Sequence, residues 1–88
     1  MPDEQRITEV RRGTHGDFRI GAAFTQDVKA MMREMPNWAT LTPAMRESLD
    51  MTIHKIHRIL TGEPSEVDHW KDIGGYSELI VRILKGEY

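Results

Sequence analysis

The stretch TPAMRESLDMTIHKIHRILTG, residues 42–62, is the strongest structural signal in this 88-residue chain. A capping hydroxyl on Thr42 precedes Pro43, which is well tolerated at the first helical position because its missing N–H would have no partner there. Gly62 is typical of a left-handed helix stop. The side of this helix expected to face the core spans roughly 120° of the helical wheel. It consists of Met45, Leu49, Thr52, Ile53, Ile56, Ile59 and Leu60. We therefore predict an α-helix over residues 43–61.

A second helix is predicted on the N-terminal side of this stretch. Thr14 and Asp17 have the spacing of a capping box, in which a hydroxyl and a carboxylate satisfy backbone amides at a helix start. We expect the helix to cover residues 17–35. Its apolar residues gather on one side, which should face the core, whereas Lys29 and Arg33 fall on the other side. The apolar set is Ile20, Phe24, Val28, Met31, Met32 and Met35.

A third helix is predicted over residues 66–85. Ser65 repeats the capping-box logic at its start, and Gly86 can end it in the left-handed conformation. Its apolar arc covers about half of the wheel, which is more than one neighbouring helix can bury. Gly74 and Gly75 lie in its middle, where each costs about 1 kcal/mol relative to alanine. Either another backbone passes close to them, or the helix bends or breaks at this point.

These elements predict an all-α fold, a three-helix bundle with short connections. Residues 1–13 are expected to form a polar N-terminal arm, and residues 14–88 a single helical domain. At this length the core is marginal, because burial supplies only about 25 cal/mol per Å². The surplus apolar surface on the first and third helices predicts self-association, most simply as a homodimer.

Composition excludes several classes of function. The chain has no cysteine, which rules out disulfide frameworks, thiolate nucleophiles and cysteine zinc sites. Twelve basic and fourteen acidic residues give a net charge of −2, so no overall field attracts nucleic acid or anionic lipid, and direct DNA binding is not expected. No apolar run approaches the roughly 20 residues of a membrane span, and the acidic start does not resemble a secretion signal. We therefore expect a cytoplasmic protein.

One edge of the 43–61 helix carries polar residues at spacings of three and four. They are Asp50, His54, His57 and Thr61. Side chains so spaced lie next to one another on a helix and could form a carboxylate–imidazole metal group. The commoner arrangement at this spacing is an ion pair beside half-exposed histidines, and both interpretations stay open.

The third helix presents Asp68 and Asp72, one turn apart. Asp72 lies between the apolar arc and the polar face, and it needs a partner because an unpaired buried charge costs several kcal/mol. The candidate partners on the preceding helix are Lys55, His57 and Arg58. A structural ion pair between the helices is favoured, and a divalent-metal or substrate site built from Asp50, Asp68 and Asp72 is the alternative.

Two aromatic residues complete the set of candidate contacts. Trp70 and Tyr76 each combine a large apolar body with a polar tip, so either could line a pocket or an interface. The candidate ligand or partner contacts are therefore His54, Lys55, His57, Arg58, Trp70 and Tyr76. The sequence shows neither a phosphate-binding glycine loop nor the order of a serine triad, so no catalytic residue is assigned.

The same region carries a resemblance to known proteins. It includes Asp50…His54-Lys55…Arg58-Ile59-Leu60…Gly62…Asp68-His69-Trp70-Lys71-Asp72-Ile73-Gly74-Gly75-Tyr76, preceded by His15-Gly16-Asp17-Phe18. Over roughly residues 14–84, the chain resembles a family of short phage and prophage proteins catalogued as a domain of unknown function. That family's pattern is reminiscent of all-α (MazG-like) nucleoside triphosphate pyrophosphohydrolases. The resemblance implies magnesium carboxylates at Asp50, Asp68 and Asp72, and phosphate contacts at Lys55 and Arg58.

The chain also departs from that pattern. The pyrophosphohydrolases use paired Glu-x-x-Glu and Glu-x-x-Asp motifs, whereas the comparable pair here is Glu47-x-x-Asp50 alone. His15 stands where the phage family usually has tyrosine. We therefore expect a non-catalytic phage-type protein that acts by stoichiometric protein binding, as an anti-CRISPR-like inhibitor of a host defence system. The alternative is a magnesium-dependent protein that binds or hydrolyses a nucleotide.

Overall fold

The computed structural model describes residue 10 and residues 12–88. Its three long helices are α1 (Phe18–Arg33), α2 (Pro43–Thr61) and α3 (Val67–Leu84). A short 3₁₀ helix, Trp38–Thr40, lies between α1 and α2, and no strand occurs in this part of the chain. The predicted all-α, three-helix fold is confirmed.

The predicted N-terminal arm falls almost wholly outside the described residues and stays a prediction there. Residues 12 and 13, which the arm was expected to include, are part of a helical turn over 12–15. This turn precedes α1 and contacts the connection between α2 and α3 through Thr14. The Thr14 carbonyl accepts the N–H of Glu63 at 3.0 Å.

The bounds of α2 are those predicted from its end signals. The Thr42 hydroxyl accepts the N–H of Met45 at 3.2 Å, and Pro43 occupies the first helical position. The expected left-handed stop at Gly62 is wrong, because its φ is −108°. Glycine is required there for a different reason: a Cβ would collide with the backbone of Thr14 and Gly16. Gly62 therefore permits two chain segments to cross closely.

The starts of α1 and α3 differ from the predicted capping boxes. Asp17 alone caps α1, where one carboxylate oxygen accepts the N–H groups of Arg19 and Ile20 at 2.8 and 3.4 Å. Thr14 instead donates its hydroxyl to the Val10 carbonyl in the preceding turn. At α3 the N-cap is Glu66, with no hydrogen bond from its side chain. The capping role predicted for residue 65 is therefore wrong.

The end of α3 matches its prediction. Gly86 has a φ of +73°, the left-handed conformation expected just beyond a helix. The N–H of Glu87 reaches back to the carbonyl of Arg82 at 2.9 Å. This bond satisfies one of the carbonyl groups that a helix end leaves without an intrahelical partner.

The helices are arranged with α2 between the other two. It packs against both α1 and α3, and no comparable packing joins α1 to α3. The radius of gyration is 15.2 Å, whereas a compact domain of this length has about 12 Å. Among the described residues no apolar side chain is fully buried, and the buried polar residues are Thr25, Lys55 and His69. The predicted marginal core is therefore made of partly buried apolar side chains in this part of the chain.

The side of α1 that contacts α2 is polar, contrary to the prediction. Gly21 lies against the His57 ring, Lys29 bonds His54, and Arg33 pairs with Asp50. Placing Lys29 and Arg33 on the outer side was therefore wrong. These three α1 residues are eight and four positions apart, so they lie on one side of the helix, and that side contacts the polar edge of α2. Half of the predicted core stripe is exposed, with Ile20, Met31 and Met35 between 56% and 60% exposed, whereas its other three residues are half-buried.

At the glycine pair in α3, no other backbone of the described chain passes close and the helix does not break, while a bend there stays a prediction. The helix is continuous from Val67 to Leu84. No atom lies within 4 Å of the place where a Cβ would stand at Gly74 or Gly75. In the part of the chain that the structure covers, no helix is long and apolar enough to cross a membrane.

Candidate functional site

The contact between α2 and α3 contains an ion pair that the sequence predicted. Lys55 Nζ lies 2.8 Å from Asp72 Oδ2, with the lysine side chain 11% exposed and the aspartate side chain 46% exposed. The hydrogen bond from Lys55 lowers the pKa of the Asp72 carboxyl, which is therefore ionised at neutral pH. The pairing of Asp72 across the two helices is confirmed, and Lys55 is its partner.

His69 anchors the same end of α3 and was missed in the sequence. It is 2% exposed, and its Nε2 donates to the Thr14 carbonyl at 2.9 Å. The His15 ring meets it edge to face, with ring centroids 5.4 Å apart. A single histidine one residue after Asp68 gives no periodic signal, so its contact with a segment 55 residues earlier could not be predicted.

The three aspartates proposed as magnesium ligands do not form one group. Asp50 Oδ2 lies 3.0 Å from Arg33 on the α1 side of α2. Asp68 and Asp72 lie on α3, where they line a cavity of about 310 Å³ together with Lys55 and His69. Among the described residues, no group of three histidine, aspartate or glutamate side chains is placed to hold a metal ion. Magnesium binding stays a prediction.

The polar edge of α2 faces α1. Lys29 Nζ donates to His54 Nε2 at 2.8 Å, so this imidazole nitrogen carries no proton. Burial, followed by the charges of Lys29 and Arg58, lowers the pKa of His54. Burial also lowers the pKa of His57, with Arg58 adding to the effect. Both rings are therefore neutral at neutral pH, and Asp50 pairs with an arginine rather than supporting His54 as a metal ligand.

The His57 ring is held by its neighbours on two sides. Its Nδ1 lies 3.4 Å from Thr61 Oγ1, and this hydroxyl donates to the His57 carbonyl at 2.8 Å. On the other side, the ring fills the space next to Gly21, where any Cβ would collide with it. Gly21 is the sequence feature that could have predicted this contact, since a glycine inside a helix often marks the close approach of another part of the chain.

A basic cleft opens beside these histidines, with a volume of about 350 Å³. Its lining residues are Arg12, His15, Gly16, Phe18, His54, His57 and Arg58. None of them is acidic, although the whole chain has a net charge of −2. Within the described residues Arg58 makes no ion pair, and Phe18 is 83% exposed at the rim. The cleft has the chemistry to receive an anion next to a flat apolar group.

The two candidate aromatic residues have different surroundings. Trp70 is 57% exposed, and its Nε1 donates to the Pro64 carbonyl at 2.8 Å, which ties the α2–α3 connection to α3. Tyr76 is half-buried, and its backbone carbonyl accepts the Ser48 hydroxyl at 3.0 Å. Neither aromatic lines the basic cleft.

Comparison with known proteins identifies no relative. No family model, curated protein or solved structure matches this chain. The resemblance to short phage proteins therefore stays a prediction, and functional arguments depend on the geometry of the molecule itself.

Proposed function

We propose that this protein acts by stoichiometric protein binding and that the apolar stripe of α1 is the face that contacts the partner. The stripe consists of the exposed residues Ile20 and Met31, the half-buried Phe24 and Val28, and the exposed Met35 just beyond the end of the helix. The resemblance to phage proteins supports a partner within a bacterial defence system, so that binding inhibits host defence. No catalytic step is part of this proposal.

The orientation of α1 is the observation that carries the proposal. The side of α1 that carries Gly21, Lys29 and Arg33, here called the polar seam, already contacts α2. The apolar stripe therefore cannot turn inward without breaking the contacts to His54 and Asp50. The stripe keeps Ile20 at 60% exposure and Met31 at 56%. Fully burying one such side chain contributes about 1.5–3 kcal/mol.

The composition of the stripe suits a protein partner. Apolar residues separated by three and four positions form the anchors of a helix that binds in a groove. Methionine side chains are unbranched and polarisable, and they adapt to the irregular surface of a partner. An exposed stripe of this kind on a small folded chain marks an interaction surface.

The test compares two charge substitutions on α1. The double variant Ile20→Glu, Met31→Glu changes two stripe residues and should keep the fold, because both residues are more than half exposed. Gln26→Glu is the control, since Gln26 is exposed on the opposite side of the same helix. Each form is produced in strains that carry one defence system apiece, and phage plating efficiency is measured.

We expect the parent chain and Gln26→Glu to restore plating in one such strain, and the double variant to lose this effect. The purified defence complex from that strain should then bind the parent chain at a fixed ratio and fail to bind the double variant. Retention of binding by a correctly folded double variant would show that the stripe is not the contacting face. Absence of protection by the parent chain across the strains would contradict the role in host defence.

The basic cleft favours a second candidate function, binding of a phosphate-bearing ligand such as a nucleotide. Arg58 and the neighbouring imidazoles supply donors, and the described lining residues include no carboxylate. Thermal unfolding with a panel of nucleotides, with and without magnesium, tests this candidate. A ligand at about 100 times its dissociation constant adds about 2.7 kcal/mol to the free energy of unfolding. Arg58→Gln should remove the stabilisation and Lys85→Gln should preserve it, while an unchanged melting temperature for every nucleotide would exclude this function.

A further inference from the structure

We infer that two copies of this chain pair through the outer face of α3, with the helices antiparallel and a two-fold axis passing close to Gly75. This face is separate from the α1 stripe, so the inference does not depend on the proposed function. The occupant is a second copy of this chain, because the charges of this face complement those of its own copy in the antiparallel arrangement.

The first observation is the open space around Gly75. Glycine inside a helix costs about 1 kcal/mol relative to alanine, and the described chain places no atom within 4 Å of its missing Cβ. Beside it runs a shallow groove of about 410 Å³ with mainly apolar walls, lined in part by Lys71, Glu78 and Leu79. Without a Cβ, the backbone of another helix can approach closely at this point, since the distance between helix axes depends on the side chains at the contact.

The second observation is a set of unpaired charges around that glycine. Asp68, Lys71, Glu78 and Arg82 are exposed, and none of them forms an ion pair within the described residues. The nearby Asp72 is already paired with Lys55. The four remaining charges cancel, so a second copy of this face meets no net repulsion.

The order of these charges selects the antiparallel arrangement. When two α3 helices cross at Gly75 about a two-fold axis, residues equally far before and after the glycine face each other. Asp68, seven residues before the glycine, then faces Arg82 of the second copy, seven residues after it. Lys71, four residues before, lies against Leu79 of the second copy and next to its Glu78, which are four and three residues after. The symmetry makes each of these pairs twice. A parallel arrangement would place each charge against its own copy, which is repulsive.

Leu79 adds apolar contact at the centre of the interface. It is 43% exposed, and it lies one helical turn after Gly75 on the same side of α3. In the antiparallel pair, Leu79 covers the aliphatic part of Lys71 in the second copy. The interface thus combines a close backbone approach, one apolar residue and a ring of complementary charges.

A charge exchange tests the pairing directly. Lys71→Glu and Glu78→Lys are each purified and measured by sedimentation equilibrium, alone and as an equimolar mixture. Each variant alone places like charges opposite each other, and we expect its dimer to dissociate at least about tenfold more readily than that of the parent chain. In the mixture every 71–78 contact joins opposite charges, and a heterodimer should form with close to the parent affinity.

A pair of glycine variants tests the position of the axis. Gly75→Leu and Gly74→Leu both replace a helical glycine by a good helix former, so both should stabilise the helix of the monomer. Only Gly75 lies on the proposed face, because its neighbour points about 100° away around the helix. We expect Gly75→Leu to abolish the dimer and Gly74→Leu to preserve it.

Several outcomes would overturn the inference. A parent chain that stays monomeric at the highest soluble concentration excludes the dimer. A dimer that survives Gly75→Leu, or a charge-exchange mixture that fails to associate when the parent does, assigns the contact to another face. None of these measurements requires the defence-system partner, so they do not depend on the outcome for the α1 stripe.

Discussion

Four of the seven glycines of this chain lie in two contrasting regions. Where α2 meets the turn before α1, Gly16 and Gly62 sit against other parts of the chain, and Gly16 has a φ of +86°. In the middle of α3, Gly74 and Gly75 are surrounded by open space. The first region uses glycine to bring two backbone segments together. The second region bears the conformational cost of glycine although no atom of the described chain contacts these glycines. The open space is where the proposed contact between two chains would form.

The two regions also differ in how their polar groups are used. Near Gly62, His69 is 2% exposed and bonded to the Thr14 carbonyl. On the outer face of α3, Lys71 and Glu78 are exposed and unpaired within the described residues. The crowded region should therefore respond to small substitutions, whereas the open region should tolerate or even favour them.

The largest expected effect is at the chain crossing. Gly62→Ala places a Cβ against the backbone of Thr14 and Gly16, which cannot move as a side chain would. We expect the free energy of unfolding to fall by about 2–3 kcal/mol, measured by urea unfolding at one fixed protein concentration. A loss below about 1 kcal/mol would show that the crossing adjusts easily and is not rigid.

The next effect concerns the buried histidine in the same region. His69→Ala removes a side chain that is 2% exposed, together with its hydrogen bond to Thr14. We expect a loss of about 2 kcal/mol in the free energy of unfolding, from the cavity and the lost bond. His54→Ala is the matched control, because His54 is only half-buried and should cost less. Equal losses for both variants would contradict the special role of His69.

The open region should respond in the opposite direction. Gly74→Ala adds a methyl group where no atom lies within 4 Å, and alanine is the better helix former. We expect a gain of about 1 kcal/mol in the free energy of unfolding. Urea unfolding beside Gly62→Ala gives the direct comparison between the two regions. A loss of stability at position 74 would mean that another part of the molecule approaches it in solution.

The smallest expected effect is a dependence on pH from the polar seam between α1 and α2. Burial holds the pKa of His54 and His57 below the ordinary value of 6.5. As the pH falls through that value, the unfolded chain takes up protons before the folded one, so stability decreases. The effect is modest because both rings are partly exposed. Unfolding curves across this range should show the decrease, and it should shrink in the double variant His54→Asn, His57→Asn.

A separate decrease should follow at lower pH. The hydrogen bond from Lys55 lowers the pKa of Asp72 from 3.8, and backbone hydrogen bonds lower that of Asp17. Their contribution is present above that value and disappears as the pH falls through the lowered pKa of each carboxyl. Asp72→Asn should reduce this second decrease and leave the histidine-dependent one unchanged. A single transition affected equally by all of these variants would contradict the assignment.

The sequence was sufficient for features that depend on local chemistry. The bounds of α2 follow from Thr42 and Pro43 at one end, and the left-handed Gly86 follows from its place after α3. The cross-helix pair of Asp72 was also predictable, since a carboxylate at the border of an apolar arc requires a cation. These predictions concern single helices or one neighbouring pair.

The rotation of α1 was not predictable from its own pattern. A helical wheel shows which residues are apolar, but it does not show which side meets the next helix. Here α2 offers His57, His54 and Asp50 to α1, and the contact forms through Gly21, Lys29 and Arg33. Asp50 pairs with α1, whereas Asp72 of α3 pairs with Lys55, so the metal hypothesis depended on which side of α2 each neighbouring helix occupies.

The two tryptophans lie at different helix junctions, so each junction can be followed by fluorescence, beginning with Trp38. The guanidinium carbons of Arg33 and Arg46 lie 4.8 and 5.6 Å from the centroid of its ring, so its emission depends on the junction between α1 and α2. The chain has one other tryptophan, Trp70, whose indole N–H binds the connection between α2 and α3. With either indole replaced by phenylalanine, intrinsic fluorescence follows the opening of one junction at a time, so the order in which the two outer helices detach can be measured without an added label.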